Sequence, residues 1–234
     1  MQDVFKRWEK KFLITETQAE TLLSAVSKHM RFDAFDTYWV QNIYFDTPHW
    51  DVIQTSMQKP YYKEKMRLRY YEKTQQLYLE LKKKYAGIVY KRRVALPPAA
   101  SDEDLLLTLK QDSCQIAREL LYYLQSTKVE KKMFISYKRH AFSGVEQKDL
   151  RLTFDREVRY RTDMFSFEQP ENGTLVLANN LQLMEIKTAT SVPLWLTKIC
   201  SEQGIFASSY SKYAACYLDH LQKTNTEKLV HTHV

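Results

Sequence analysis

The sequence predicts an α+β fold: an eight-stranded closed antiparallel β-barrel with helices packed outside it. Three observations predict it. Eight segments read as strands, charged and apolar side chains alternate along nearly all of them, and helical periodicity is confined to the longer connections. The strand segments are Val4–Thr15, Tyr38–Phe45, Lys65–Tyr71, Leu77–Tyr85, Ile88–Leu96, Lys131–Phe142, Leu150–Tyr160 and Thr174–Thr188, all rich in Tyr, Val, Ile, Phe and Leu. Residues 72–76 separate two of them, and Ala86-Gly87 forms a tight turn between two others. Strands joined by connections this short run antiparallel.

Helical patterns fall at Thr17–His29 (with Thr15 as a candidate N-cap), Asp51–Met57, Asp102–Ser126, Pro193–Gln203 and Ser211–Lys223. Pro193 suits the first turn of a helix, while Pro97-Pro98 ends the strand before it. Residues 225–234 read as a frayed tail, so His231 and His233 are not taken as ligands. With 4 Gly and 6 Pro there is little material for a linker, and residues 1–234 read as a single domain. A hydrophobic content of 44% is enough for a sizeable core.

A formal net charge of +7 and a pI near 9.1 call for an acidic partner: nucleic acid, an anionic membrane surface or a phosphorylated small molecule. The opening MQDVFKRWEKKF has no apolar stretch of the signal-peptide kind, and no apolar run reaches the ~20 residues of a membrane span. Cys114, Cys200 and Cys216 have neither disulfide nor metal spacing and read as reduced thiols. The expected location is the cytoplasm.

Residues i and i+2 of a strand share a face. Lys65, Arg67 and Arg69 therefore oppose Met66, Leu68 and Tyr70; Tyr78, Glu80, Lys82 and Lys84 oppose Leu77, Leu79, Leu81 and Lys83. Lys91 shares a side with Arg93, Glu9 with Lys11, Tyr137 with Arg139, Arg151 with Thr153 and Asp155, and Glu185 with Lys187. A sheet with one wet face explains any one such stripe. Seven stripes leaning toward Lys and Arg, with helices to cover the apolar side, place the charges in an interior instead. Such a lumen repels itself and loses hydration unless a polyanion and water fill it. Eight strands enclose room for one slender ligand, which a linear phosphate chain matches in charge and width.

Carboxylates in such a place need a reason. A hard cation between Glu and phosphate supplies one, since Mg²⁺ or Mn²⁺ is held by one or two carboxylates plus substrate phosphates. Glu185 is the first candidate, followed by Glu9 and Glu80. Pairing with the neighbouring lysine is the simpler alternative for each. A nucleic-acid binder would display its basic residues on an accessible surface, whereas these alternate with core residues, so nucleic acid is not expected as partner.

Nine motifs in order resemble the VTC (vacuolar transporter chaperone) domain of polyphosphate polymerases, within the triphosphate tunnel metalloenzymes. They are W-E-K-K-F at Trp8–Phe12, Y-F-D-T at Tyr44–Thr47, R-L-R-Y-Y at Arg67–Tyr71, E-L-K at Glu80–Lys82 and K-R-R-V at Lys91–Val94. The others are Y-K-R-x-A-F at Tyr137–Phe142, R-L-T-F-D at Arg151–Asp155, M-E-I-K at Met184–Lys187 and S-K-Y at Ser211–Tyr213. The resemblance implies catalytic roles for Arg67, Arg69, Arg139, Arg151 and Glu185. It implies phosphate binding by Lys11, Lys82, Lys91, Arg93, Tyr137, Lys187 and Lys212, the last closing one tunnel mouth. Glu185 corresponds to the metal-binding carboxylate. Where the wider superfamily begins E-x-E-x-K, the first Glu is here Arg7. That departure points to a polymerase rather than a tripolyphosphatase or adenylyl cyclase, and weakens a second metal site on Glu9. The implied substrates are ATP and inorganic polyphosphate or triphosphate, with a membrane-protein partner expected by analogy; oligomeric state is not legible.

Overall fold

The computed structural model describes residues 8–86, 88–98 and 101–231. In chain order they form β1 (Trp8–Thr15), α1 (Glu16–His29), β2 (Met30–Asp46), α2 (Asp51–Met57), β3 (Tyr62–Tyr71), β4 (Gln76–Tyr85), β5 (Ile88–Leu96), α3 (Asp102–Gln111) and α4 (Gln115–Thr127). There follow β6 (Glu130–Gly144), β7 (Arg151–Arg161), β8 (Thr174–Leu175), β9 (Leu181–Thr188), α5 (Leu194–Glu202), β10 (Ala207–Ser208) and α6 (Lys212–His231).

The ends of the elements follow from side-chain chemistry. Thr15 caps α1 as expected: its hydroxyl accepts from Gln18 N while Gln18 Oε1 accepts from Thr15 N, a reciprocal box. The single helix expected over Asp102–Ser126 is two. Asp112 Oδ1 accepts from Cys114 N, and Cys114 Sγ caps α4 by accepting from Ala117 N. A short acceptor beside the backbone competes with the helical ladder and breaks it there. The tail expected from residue 225 is instead α6 continuing to His231; residues 232–234 lie outside the described part, as do residues 4–7 of the first expected strand. The expected Thr174–Thr188 strand divides into β8 and β9.

All strands join one antiparallel sheet in the order β10-β1-β9-β7-β6-β2-β3-β4-β5, with β8 on β7. The sheet has ten strands rather than the expected eight, and the expected closure into a barrel is not shown. Among the described residues no ladder joins β5 to β1 or β10, so hydrogen bonds do not close the sheet. The architecture is a mixed α+β fold on a large antiparallel sheet. Helices α1 and α5 cover one half of its apolar face, packing Leu22, Val26 and Leu196 on Phe12, Leu152 and Ile186. Helices α3 and α4 cover the other, packing Leu105, Leu109 and Leu120 on Met66, Leu79 and Leu81. Each such fully buried aliphatic side chain contributes about 1.5–3 kcal/mol. The opposite face receives α6, whose Tyr213, Cys216 and Tyr217 pack on Val40, Ile135 and Tyr137.

The sheet is curled toward that face. Lys82 on β4 interacts electrostatically with Glu9 and Lys11 on β1 and with Glu185 on β9. In a flat sheet β4 and β1 stand six ladder steps apart, about 29 Å at roughly 4.8 Å per strand. Charges that far apart in salt solution do not sense one another. Curling brings them together across an inner space.

Candidate polyanion-binding site

Two buried carboxylates organise the cations of this inner face. Glu80, only 2% exposed, accepts from Arg67 Nε and Nη2 at 3.0 and 2.8 Å. Its other oxygen meets Lys91 Nζ at 2.5 Å, and Arg69 Nε lies 3.9 Å from the oxygen that Arg67 holds. Burial pushes the Glu80 carboxyl up, but Arg67, Arg69 and Lys91 outweigh it and hold it well below the usual range. Asp155, fully buried, takes both prongs of Arg139, from Nε at 2.7 Å and Nη2 at 2.8 Å, and meets Lys212 Nζ at 2.5 Å. Against the cost of burial, Arg139 and Lys212 keep that carboxyl ionised. Strand pairing sets this geometry, with Arg67 opposite Glu80 and Arg139 opposite Asp155.

Arg69 is fixed by Asn42 Oδ1 (2.9 Å) and by the hydroxyls of Tyr71 and Tyr137 (3.3 Å each), and Arg67 Nη1 donates to Tyr44 at 2.9 Å. Tyr137 is buried under Lys212, whose ammonium lies 4.3 Å from its ring centroid. Lys212 belongs to the first turn of α6, as does Tyr213. The latter stacks on Tyr44 at 4.3 Å and donates to Asp46 Oδ2 at 2.7 Å. Asp46 also accepts from the amides of Thr47, Val52 and Ile53, so the helix carrying Lys212 is pinned to the end of β2 and the start of α2.

A third cluster joins β1 and β9. Lys11 stands opposite Glu185, and Glu9 opposite Lys187. Glu185 is 7% exposed, with Lys187 Nζ at 3.2 Å and Arg139 Nη2 at 4.0 Å. Lys11 pairs with Glu9 at 3.4 Å, and Glu9 and Glu185 are in hydrogen-bond contact. Burial works against the Glu185 charge, but Lys187, Arg139 and Lys11 hold the carboxyl far below its normal range. Both carboxylates already have cationic neighbours, and their oxygens have the donor chemistry for Mg²⁺ or Mn²⁺. Among the described residues no group of three or more His, Cys, Asp or Glu side chains is placed to hold a metal ion. Glu80, the third expected metal carboxylate, has both oxygens engaged by Arg67 and Lys91.

The structure thus brings together Lys11, Arg67, Arg69, Lys82, Lys91, Tyr137, Arg139, Glu185, Lys187 and Lys212 with Glu9 and Glu80. Two residues stand opposite members of this group in the ladder, Arg151 opposite Lys187 and Arg93 opposite Glu80, but have no ion pair with it among the described residues. Arg151 is exposed and donates to the carbonyls of Lys148 and Leu150 at 2.7 and 3.0 Å. Arg93 is exposed, 4.8 Å over the ring of Tyr78. Missed as site members were Lys65, Asp155, Tyr44 and Asn42. Shared strand faces mark the first two, Lys65 two residues before Arg67 and Asp155 four after Arg151, whereas nothing local marks Asn42.

Burial, joined by repulsion from Lys63, Lys82 and Lys11, outweighs the help of Tyr44 and brings the Lys65 ammonium down to about 8. A bound polyanion favours the charged lysine and so raises that value. At pH 8, wild-type protein is expected to take up as much as about half a proton more than a Lys65→Met variant on binding tripolyphosphate. Calorimetry in two buffers of different ionisation heat measures this, and equal uptake would remove Lys65 from the bound anion's surroundings.

Curled sheet and cationic inner face together define a protein built to hold a polyanion. The VTC domain pattern matches residues 6–219, and the chain belongs to that family. A comparison with curated protein sequences returns no match. Among solved structures, the chain is similar to a Hippeastrum protein described as an adenylyl cyclase with a dominant triphosphatase activity. Identity is 18%, coverage 90% of this chain and 95% of that one, and the TM-score 0.55, a likeness of fold. A Vibrio parahaemolyticus protein described as an adenylate cyclase is 11% identical, with coverage of 92% and 98% and a TM-score of 0.48.

Proposed function

We propose that this chain is a polyphosphate polymerase, passing the γ-phosphoryl group of ATP to the end of an inorganic polyphosphate chain lying along the inner face. The observation that carries the reading is the charge imbalance there. Lys11, Lys65, Arg67, Arg69, Lys82, Lys91, Arg139, Lys187 and Lys212 converge, against Glu9, Glu80, Asp155 and Glu185. On this reading the curled sheet encloses the phosphates as a tunnel, and residues 1–234 act as one domain in the cytoplasm, a membrane partner receiving the product.

Arg67, Arg69 and Arg139 orient the phosphates and neutralise charge spreading over the transferred group, and Arg151 contacts the chain at the rim. They are already held in place by Glu80, Asn42 and Asp155, so little reorganisation is required on binding. Glu185, with Glu9, would hold Mg²⁺ or Mn²⁺, which would supply Lewis-acid stabilisation of phosphate charge. An acceptor phosphate is ionised at neutral pH and needs no general base. Glu80 and Asp155, tied to arginine and lysine, are poorly suited to be one. Hydrolysis of triphosphate is the competing reading, because the same cationic face holds the same substrate and the Hippeastrum protein is described as a triphosphatase.

Incubation with ATP and Mn²⁺ separates the two: long polymer on dye-stained gels is expected, and free phosphate without polymer would establish the hydrolase. Glu185→Gln is expected to weaken Mn²⁺ binding, read directly by paramagnetic resonance, by about 10–100-fold. Unchanged Mn²⁺ binding would move the metal elsewhere.

A further inference from the structure

Most cations of the inner face have a carboxylate of their own. Arg67 and Lys91 have Glu80, Arg139 and Lys212 have Asp155, Lys11 has Glu9 and Lys187 has Glu185. The lysines of the β3–β4 ladder are the exception. Lys65 stands directly opposite Lys82, and Lys63 directly opposite Lys84, all four on the face that carries Arg67 and Glu80. Among the described residues no carboxylate lies within ion-pair distance of any of them. Lys63 Nζ finds a carbonyl, that of Ser56, at 2.9 Å. Like charges facing each other across a ladder destabilise it, and here two such rungs are stacked. Their strain shows in the lysines themselves. Burial lowers Lys63, with Lys84 and Lys59 adding to it. The uncompensated charge of the site is therefore concentrated in this ladder, outward from the arginines.

We propose that the Lys63–Lys84 rung, continuing from Lys65–Lys82, is a subsite for phosphates beyond the reacting ones, so that the protein grips a long polyphosphate in preference to a triphosphate. The proposal rests on the polyphosphate reading above and adds a selectivity for chain length. Lys63 lies four residues from Arg67, about 14 Å along the strand at roughly 3.4 Å per residue. Three phosphates held at the arginines do not reach that far, whereas a longer chain does and makes charge-assisted contacts with each rung. The ladder thus separates two ligands of identical local chemistry by their length.

The test compares wild type with the Lys63→Gln/Lys84→Gln double variant by titration calorimetry, using tripolyphosphate and long-chain polyphosphate as probes. The expected result is a loss of affinity for the long chain of about tenfold or more, with tripolyphosphate affinity kept within about twofold. Because the substitutions remove repulsion, the unliganded variant should melt no lower than wild type at low salt, which confirms that it is folded. Equal losses for both probes, or no loss for either, would overturn the subsite while leaving the polymerase reading standing. Wild-type protein that binds neither probe would overturn that reading, and the subsite with it.

Discussion

Replacing Arg67 by alanine is expected to lower kcat for polymer synthesis by about a thousandfold, roughly 4 kcal/mol of transition-state stabilisation. Arg67 is held by two hydrogen bonds to Glu80 and one to Tyr44, so its guanidinium is already in position when phosphate arrives. Such preorganisation makes a charged donor worth far more here than in water. The conservative variant Arg67→Lys separates charge from geometry. A lysine restores the charge but not the fork that grips Glu80 and phosphate together, so it should recover only a small part of the loss. Folding is checked by circular dichroism. Glu80 keeps Lys91 at 2.5 Å and Arg69 at 3.9 Å in the alanine variant, which protects it from standing alone. Activity within a few-fold of wild type in Arg67→Ala would remove the arginine from the reacting phosphates.

The second large effect is on stability. Asp155→Ala leaves Arg139 and Lys212 buried without their shared counter-charge, and breaking a buried pair from one side costs about 3–5 kcal/mol. At roughly 3 °C per kcal/mol for a chain of this size, Tm should fall by about 10 °C. The pH dependence follows from the direction of the shift. Since the folded carboxyl titrates below its unfolded value of 3.8, its contribution is complete above that value and disappears as pH falls toward the folded one. Wild type and variant should therefore differ most near neutrality and converge in acid. Tripolyphosphate should also stabilise the variant more than wild type, because a phosphate can take the place of the missing carboxylate. If thermal melts show the same stabilisation by ligand in both, Arg139 and Lys212 do not face the bound anion.

The legibility of this protein from its sequence varies with the kind of interaction. Strand alternation depends only on i and i+2, so the faces of Arg67, Lys82 and Glu185 could be read directly from the chain. The cap at Thr15 and helix α2 are equally local, and both are found where the sequence places them. The split of the Asp102–Ser126 helix depended on Asp112 and Cys114 bonding to nearby backbone, a signal present in the sequence but outweighed by helical periodicity. Motif resemblance supplied Lys212, which is an ordinary helix lysine by local pattern and becomes a site residue through Asp155, 57 positions earlier.

What the sequence determined alone is the inventory: an antiparallel sheet with one charged and one apolar face, and the basic residues assigned to the former. Tertiary structure decided which cations are neutralised and which are not. Glu80 and Asp155 meet their arginines only through strand register, and β1 reaches β4 only because the sheet curls. Alternation is encoded in neighbouring residues and survives any arrangement of strands. Pairing of charges depends on distances across strands far apart in the chain, and those exist only once the chain has folded.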